Sequence, residues 1–432
     1  MFLLSVAHFL PIDSMRFTSL DDWLRWQETL HHAEIEMGLE RIQQVFHCLH
    51  ADAPPFLVIT VAGTNGKGSS VALLEAMLLA AGYRVGTYTS PHLLRYNERV
   101  RLDGEQVDDA ALVTSFDRID RARGEVSLTY FEFATLAALD IFYRMQPEVV
   151  VLEVGMGGRL DAVNIIDPDV ALITAISVDH SEWLGNDREA IAREKAGILR
   201  AGRPAVFSGT AMPAAIAQYA QRIGANLTRL GTDFRYTSRE TDWQWQSGSR
   251  PPVNLPLPAL RGEHQLQNAA GVIEVLRRLD DRLPVARQAI RNGLLGVRLA
   301  GRFQLVPGEI NWVLDVAHNP DGIRQLASQL QATAGAGRTL AVFGMLKDKD
   351  IPSVIQLLQP CVDVWFVTAL PTPRSLGGKE LAAMLAQSGE TVRICDDVAA
   401  ACDAARASAR AGDRILACGS FYTVAGALAH DI

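Results

Sequence analysis

Cysteine is scarce in this chain: five residues in 432 (Cys48, Cys361, Cys395, Cys402 and Cys418), an odd number at wide spacing with no metal-type pair. That pattern excludes a disulfide framework and a cysteine metal cluster, and it reads as reduced, mostly buried thiols of a cytoplasmic protein. Long apolar runs are missing as well; none approaches the ~20 residues that cross a bilayer. The opening stretch Met1 to Leu10 is apolar but lacks the basic start and small-residue cleavage site of a signal peptide. Met15 precedes the first clear helical pattern, so the residues before it read as a dispensable extension or a misplaced start. Positive charge is in deficit: 41 Lys and Arg face 49 Asp and Glu, a net charge of −8, so the basic face of a nucleic-acid partner is not expected. No repeat or low-complexity segment interrupts the chain. With 48% apolar and 21% charged residues the composition is that of an ordinary globular protein, and the length exceeds one usual core, so two domains are expected.

What is present is concentrated between Phe56 and Ser69. The β-branched apolar run Leu57-Val58-Ile59-Thr60-Val61 reads as a buried parallel strand. It breaks into the turn Gly63-Thr64-Asn65-Gly66-Lys67-Gly68-Ser69, and an amphipathic helix with Val71, Leu74, Leu78 and Leu79 at helical spacing is expected to follow. Strand, glycine loop, lysine and helix together suit the binding of nucleotide phosphates. Glycines let backbone N–H groups approach the oxygens, the helix N-terminus adds positive potential, and Lys67 supplies a point charge. The loop departs from the Walker A pattern: Gly68 stands where Ser or Thr follows the lysine, and Val61 fills the first glycine position.

Strand and helix patterns alternate through most of the chain, which predicts an α/β fold with a mainly parallel sheet. Strands are expected over Tyr83 to Ser90, Glu148 to Val154, Val170 to Ile176 and Pro204 to Phe207. Trp243 to Gln246 and Pro251 to Pro258 read as antiparallel or irregular decoration. The pattern pauses near Gly293 to Gly301 and restarts with strands at 303–306, 312–315, 340–343, 362–367, 392–394 and 414–417, placing a boundary near residue 299. In open α/β sheets ligands sit beyond the carboxyl ends of strands. Gly63 to Ser69, Ser90, Glu153, His180, Asp315 and Ser420 all fall there.

Taken one at a time, several of these residues have ordinary explanations. Glu153 ends a hydrophobic strand beside the glycine loop, a natural place for a Mg²⁺ ligand, but strand-end charges are common. Ser90 before Pro91 is ordinary turn chemistry. His180 follows a strand and reads as a metal ligand, an acid/base or a structural histidine. Lys195, in a helix opened by Asp187, reads by spacing as a surface lysine.

Together, the ordered motifs resemble the Mur ligase superfamily, ATP-dependent amide-forming enzymes. The loop 63–69 carries the likeness first, and Gly68 resembles the folate branch, folylpolyglutamate synthase and dihydrofolate synthase, where cell-wall members usually have threonine. Thr89-Ser90-Pro91-His92-Leu93, Tyr130-Phe131-Glu132-Phe133, Glu153 to Ala162, Asp179-His180 and Glu194 to Ile198 are similar to that branch. So are Asp315-Val316-Ala317-His318-Asn319-Pro320 and Gly419-Ser420-Phe421-Tyr422. Val316 departs from the usual glycine. The likeness runs in order from about Leu39 to the C-terminus.

The resemblance implies a P-loop-type N-terminal domain (1–298) and a smaller Rossmann-like α/β domain (299–432) that completes the ATP and glutamate sites. It implies that Gly63, Thr64, Asn65, Gly66, Lys67, Gly68 and Ser69 hold the triphosphate, with Asn268 at adenine, Arg302 at the phosphates and Asp315 at the ribose. Ser90 and Glu153 would bind one Mg²⁺ and His180 a second, with a monovalent cation also in the cofactor set. Lys195 matches a lysine that is often carbamylated in the family. Glu36-Met37-Gly38-Leu39, Thr129-Tyr130-Phe131-Glu132 and Leu160-Asp161-Ala162 would hold the pterin; Phe131 offers a flat apolar face, and Glu132 and Asp161 can accept its N–H donors. His318 and Ser420 would lie near the incoming glutamate.

The implied reaction adds L-glutamate to dihydropteroate, forming dihydrofolate, and to reduced folates, forming polyglutamates, through an acyl phosphate. The family implies a monomer. Alternatives are a folylpolyglutamate synthase with the second activity alone, another Mur-type amino-acid ligase, and a nucleotide-binding regulatory module without ligase activity. A P-loop kinase or GTPase fits poorly, because the loop spacing is wrong and the second domain goes unexplained.

Overall fold

A computed structural model of the chain describes residues 15–432 except 180, 186, 334, 336, 388 and 431. The N-terminal stretch before Met15 and the candidate ligand His180 therefore lie outside the described residues.

Seventeen strands are present among the described residues. The first eight are β1 (Leu57–Ala62), β2 (Val85–Tyr88), β3 (Val100–Leu102), β4 (Glu105–Gln106), β5 (Val149–Glu153), β6 (Val170–Ile173), β7 (Pro204–Phe207) and β8 (Asn226–Arg229). They form one sheet in the order β4-β3-β2-β5-β1-β6-β7-β8, parallel from β2 to β8. β1 lies between β5 and β6, so the chain leaves it toward one edge and later crosses back to the other. Such a reversal opens a crevice at the strand ends.

Side chains on β1 and β5 explain why these runs are continuously apolar. Val58, Ala62, Val150 and Leu152 enter a core on one face, while Ile59, Val61, Val149 and Val151 enter a core on the other. Alternate residues thus point to opposite faces, and both faces are covered. The helix Lys67–Ala80 differs from the amphipathic expectation. Val71, Ala72, Leu73, Leu74, Met77 and Leu78 are all buried, because the helices Glu263–Arg278 and Arg287–Gly296 pack along it.

β9 (Phe234–Ser238), β10 (Asp242–Ser247) and β11 (Val253–Pro256) form a separate antiparallel sheet. It is more than decoration: Trp243 and Phe234 are buried and join the core under helix Glu263–Arg278. The second large sheet contains β12 (Gln304–Val306), β13 (Asn311–Asp315), β14 (Thr339–Phe343), β15 (Val364–Val367), β16 (Val392–Ile394) and β17 (Arg414–Cys418). Its order is β12-β13-β17-β14-β15-β16, parallel apart from β12. Leu340 and Val342 face one core and Ala341 and Phe343 the other, so this sheet too is covered on both sides.

Helix Arg287–Gly296 joins the two regions and is held close to the helix after β1. A Cβ built on Gly293 would stand 2.6 Å from Met77 Cγ and 2.7 Å from its backbone nitrogen and Cα. Backbone cannot yield as a side-chain tip can. Gly293→Ala is expected to lower stability by roughly 1 kcal/mol or more despite its better helix propensity. Urea denaturation checks this; an unchanged or raised midpoint would mean that the two helices separate easily.

Candidate active site

Parallel strands deliver their carboxyl ends to one place. β1 runs into the glycine loop, and the pairing of Val61 with Glu153 sets that carboxylate beside the loop's entry. The loop is pinned to the exit of β6. Thr64 N–H donates to Ala175 O over 2.8 Å, Thr64 Oγ1 donates to Ser177 O, and Thr174 Oγ1 donates to Asn65 O over 2.8 Å. Gly66 adopts φ +91°, and a Cβ there would stand 2.5 Å from Asn268 Oδ1. Both the turn and the close approach demand glycine. Asn268 is buried against the loop, and its amide donates to Gln265, which in turn donates to Ser69 Oγ.

Lys67 folds back so that its ammonium donates to Gly63 O (3.1 Å) and Thr64 O (3.3 Å). Lys195 reaches the same Gly63 carbonyl at 2.9 Å and is 4% exposed. The surface-lysine reading was wrong. The helix Arg188–Ala196 lies over the 155–160 turn so closely that a Cβ on Gly158 would stand 3.0 Å from Lys195 Cα, and the side chain is directed inward. Burial, with the nearby Lys67 charge, pulls the Lys195 ammonium down to about 7.

Gly68 occupies a gap. A Cβ there would lie 3.7 Å from both Glu153 Oε2 and Arg302 Nη2. The loop, the end of β5 and an arginine from beyond residue 300 therefore meet at one residue. Burial pushes the Glu153 carboxyl up to about 6, although Lys67, Arg302 and the Ser90 backbone N–H oppose the rise. Ser90 lies two residues beyond β2, half-buried. Arg302 is held over the Phe421 ring, 5.3 Å from its centroid. Asp315 ends β13 and accepts from Phe303 N and Ala317 N, both at 2.8 Å; burial raises its carboxyl. β13 pairs with β17, Asp315 opposite Cys418, which brings Ser420 to the same rim. Ser420 is buried and caps helix Phe421–Ala429 by accepting from Thr423 N. His318 uses its Nδ1–H on Val316 O at 2.9 Å. The Val316 side chain packs into the apolar core with Val424, away from the rim, which explains how a valine is accommodated there.

The three candidate pterin segments also meet. Arg41 bridges Glu36 and Glu132 Oε1, the latter at 3.2 Å. Met37 approaches Gly157, 3.7 Å from where its Cβ would be, and Phe131 lies against Gly155. Gly38 and Leu39 lead into helix Glu40–Leu49. Thr129 and Glu132 form a reciprocal capping box on helix Tyr130–Met145, and Tyr130 lies under the Arg99 guanidinium. Glu132 is thus engaged by Thr129 N and Arg41 before any ligand arrives. Asp161 likewise accepts from Met156 N and Val163 N, and burial raises its carboxyl to about 6. Leu160 is half-buried and Ala162 is buried in the core beneath.

Asp179 and Asn319 stood in the quoted motifs without a role, and Arg41 and Lys349 were missed. Arg41 had a signal, being an arginine two residues past the Glu36–Leu39 segment. The others were legible only as neighbours of His180 and His318 and within the run Lys347-Asp348-Lys349-Asp350. Among the described residues, all five cysteines are free, and Cys361, Cys402 and Cys418 are buried. Among the described residues, no helix is long and apolar enough to cross a membrane.

The depressed Lys195 makes stability pH-dependent. Between about 7 and its ordinary 10.5, Lys195 is neutral when folded and charged when unfolded, so the unfolded state binds more protons. Its cost to folding is full below pH 7 and fades as pH rises toward 10.5. Lys195→Met is expected to be more stable than the unaltered chain at pH 6, with the gain shrinking by pH 9, in urea titrations in CO₂-free buffer. A gain independent of pH would show that the lysine stays charged in the fold.

The Mur ligase middle domain matches residues 61–276, and the Mur ligase glutamate ligase domain matches residues 301–421. Over 406 residues the chain is 46% identical to the dihydrofolate synthase/folylpolyglutamate synthase of Escherichia coli K12, covering 94% of each chain. The structure is similar to that of E. coli FolC in complex with DHPP and ADP, with a TM-score of 0.91 at 45% identity, over 95% of this chain and 97% of that one. It is also similar to a bifunctional folylpolyglutamate synthase/dihydrofolate synthase with Mn, AMPPNP and L-glutamate bound, with a TM-score of 0.87 at 45% identity, over 95% and 98% of the two chains. By both domain matches and by identity across nearly its whole length, the chain belongs to the Mur ligase family, in its dihydrofolate synthase/folylpolyglutamate synthase branch.

Proposed function

We propose that this chain joins L-glutamate to dihydropteroate and to reduced folates, using ATP and a divalent metal. It is an ATP-dependent acid–amino-acid ligase. The observation that carries the reading is the meeting of Lys67, Glu153 and Arg302 around Gly68, where a triphosphate and an acceptor carboxylate must be brought together. The relatives' complexes with ATP analogues, Mn, L-glutamate and DHPP support it.

In this reading the backbone of Gly63 to Ser69 and Lys67 hold the phosphates, Asn268 faces adenine, Asp315 the ribose and Arg302 the terminal phosphate. Ser90, Glu153 and His180 would hold two Mg²⁺ ions. A buried carboxyl that stays raised despite two neighbouring cations fits such a place, since it still lacks countercharge. When bound, Mg²⁺ neutralises phosphate charge and charge developing on the transferred group. The acceptor carboxylate takes the γ-phosphoryl group. The glutamate amine, placed by His318 and Ser420, then displaces phosphate from the acyl phosphate through a tetrahedral intermediate. A monovalent cation beside the carboxylates and a monomeric state belong to the same reading.

The junction at 298/299 is the natural division, because the first sheet and its helices end before it and β12 follows it. The pterin then lies among Glu36 to Leu39, Thr129 to Glu132 and Leu160 to Ala162. Arg41 holds the first two segments together. Convergence of all three segments favours the two-activity enzyme over a folylpolyglutamate synthase alone.

Phosphate release and product mass, measured with dihydropteroate and with tetrahydrofolate, test the reading. One added glutamate on both acceptors is expected; product from tetrahydrofolate alone would leave a single activity. Glu153→Ala is expected to lower Mg²⁺-dependent kcat about 10²–10³-fold with the fold retained. Near-normal turnover would remove Glu153 from the metal site. A carbamate on Lys195 would convert a cation into an oxygen ligand for the second ion. Lys195→Ala should then regain activity with added formate or acetate, whereas full activity without either would exclude the carbamate.

A further inference from the structure

Asp179 belongs to the N-terminal half, yet three residues from beyond position 300 converge on its carboxylate. Lys349 Nζ is 2.6 Å from Oδ1, Asn319 Nδ2 donates to Oδ2 over 3.1 Å, and His318 Nε2 stands 3.4 Å from Oδ2. The Lys349 and Asp179 side chains are 5% and 7% exposed. Lys349 also has Asp348 at 3.7 Å, but Arg374 serves that carboxylate at 3.0 Å. Its close partner therefore lies across the junction, not within its own sheet.

Asn319 carries the connection onward. Its amide donates a second time, to Asn65 Oδ1 at 3.0 Å, while its Oδ1 accepts from Asn65 Nδ2 at 3.1 Å and from Gly322 N at 2.9 Å. A backbone N–H can only donate, so the Gly322 bond fixes which end of the amide is oxygen. Asn319 is 3% exposed. Asn65 is the third residue of the glycine loop. Lys349, Asp179, Asn319 and Asn65 thus form one polar chain, buried as far as Asn319 and half-buried at Asn65, from the second sheet's loops to the phosphate loop.

We propose that Lys349 is a positioning residue for ligation: through Asp179 and Asn319 it clasps the C-terminal half onto the phosphate loop and keeps water from the acyl phosphate. The inference rests on the acyl-phosphate reading above. Opening the junction would return the ammonium and carboxylate to water, so the pair costs least when both are free or both are closed on each other. Removing the ammonium alone takes from the Asp179 carboxylate its closest cation and shifts the balance toward the open form.

The chemistry makes such a shift measurable. As the acceptor carboxylate oxygen bonds to the γ-phosphorus of ATP, the bond to the β-phosphate oxygen breaks and ADP is released. The glutamate amine then attacks the acyl carbon, the carbon–oxygen bond to phosphate breaks, and amide, phosphate and a proton are formed. If water attacks in its place, the acceptor carboxylate and phosphate are returned and no amide forms. Early opening therefore raises the phosphate released per amide.

Phosphate and glutamylated product are measured in the same reaction, with ATP, Mg²⁺, dihydropteroate and L-glutamate. The unaltered chain is expected to give one phosphate per amide; phosphate or nothing, with no amide, would fail the ligase reading before any variant is made. Lys349→Met is expected to release several-fold more phosphate than amide, and Lys349→Arg to restore the ratio toward that of the unaltered chain. If Lys349→Met does not fold, Asp179→Asn with Lys349→Met removes both charges and the same ratio decides. A folded variant that keeps one phosphate per amide, whatever its rate, overturns the clasp.

Discussion

Two lysines share one carbonyl in this structure. Lys67 and Lys195 both donate to Gly63 O, at 3.1 and 2.9 Å. Like charges held this close in a buried place are unfavourable unless one gives up its proton or an anion joins them. The lowered Lys195 is the first of these outcomes. In the proposed reading a triphosphate supplies the second. The loop is built around that electrostatic demand: Gly63 and Gly66 bring backbone close, Thr174 and Ser177 pin the turn, and Gly68 leaves Glu153 and Arg302 room to approach.

The opposite problem recurs on the acidic side. Glu153 and Asp161 are buried carboxyls and Asp315 a partly buried one, each raised by desolvation and each only partly compensated by N–H groups or cations. Concentrating unsatisfied charge of both signs in one crevice is costly for folding, and it is how a ligase site can hold ATP, a metal ion and a carboxylate together. The cost is borne by two sheets covered on both faces, whose apolar strands leave the strand ends as the polar surface of the junction.

Much of the fold was legible because both faces of each sheet are buried. Runs such as Val149 to Leu152 need no alternation to be recognised as strands, and the glycine loop after Ala62 is recognisable by residue type alone. Short edge strands were another matter. β3, β4 and β8 are held by pairing and bury few side chains, so their residues carry little pattern. The antiparallel β9–β11 sheet read as decoration because its prolines and polar residues hide the packing of Trp243 beneath helix Glu263–Arg278. Lys195 misled for a related reason: helical spacing reports which face a residue occupies, not which neighbour lies over that face.

By itself, the sequence determined the fold class, the strand that runs into a glycine loop with its lysine, and the set of polar residues at strand ends. Those depend on local chemistry: β-branched runs, glycine spacing and the family's ordered motifs. Only the tertiary structure decided which of them act together. It buried Lys195 against Gly63, set Arg302 beside Glu153 across Gly68, and closed Lys349 onto Asp179. Each of these contacts joins residues more than 100 positions apart in the chain or from opposite sides of the junction. Their energies arise from burial and from charges meeting in space, and neither quantity is written in the order of the residues.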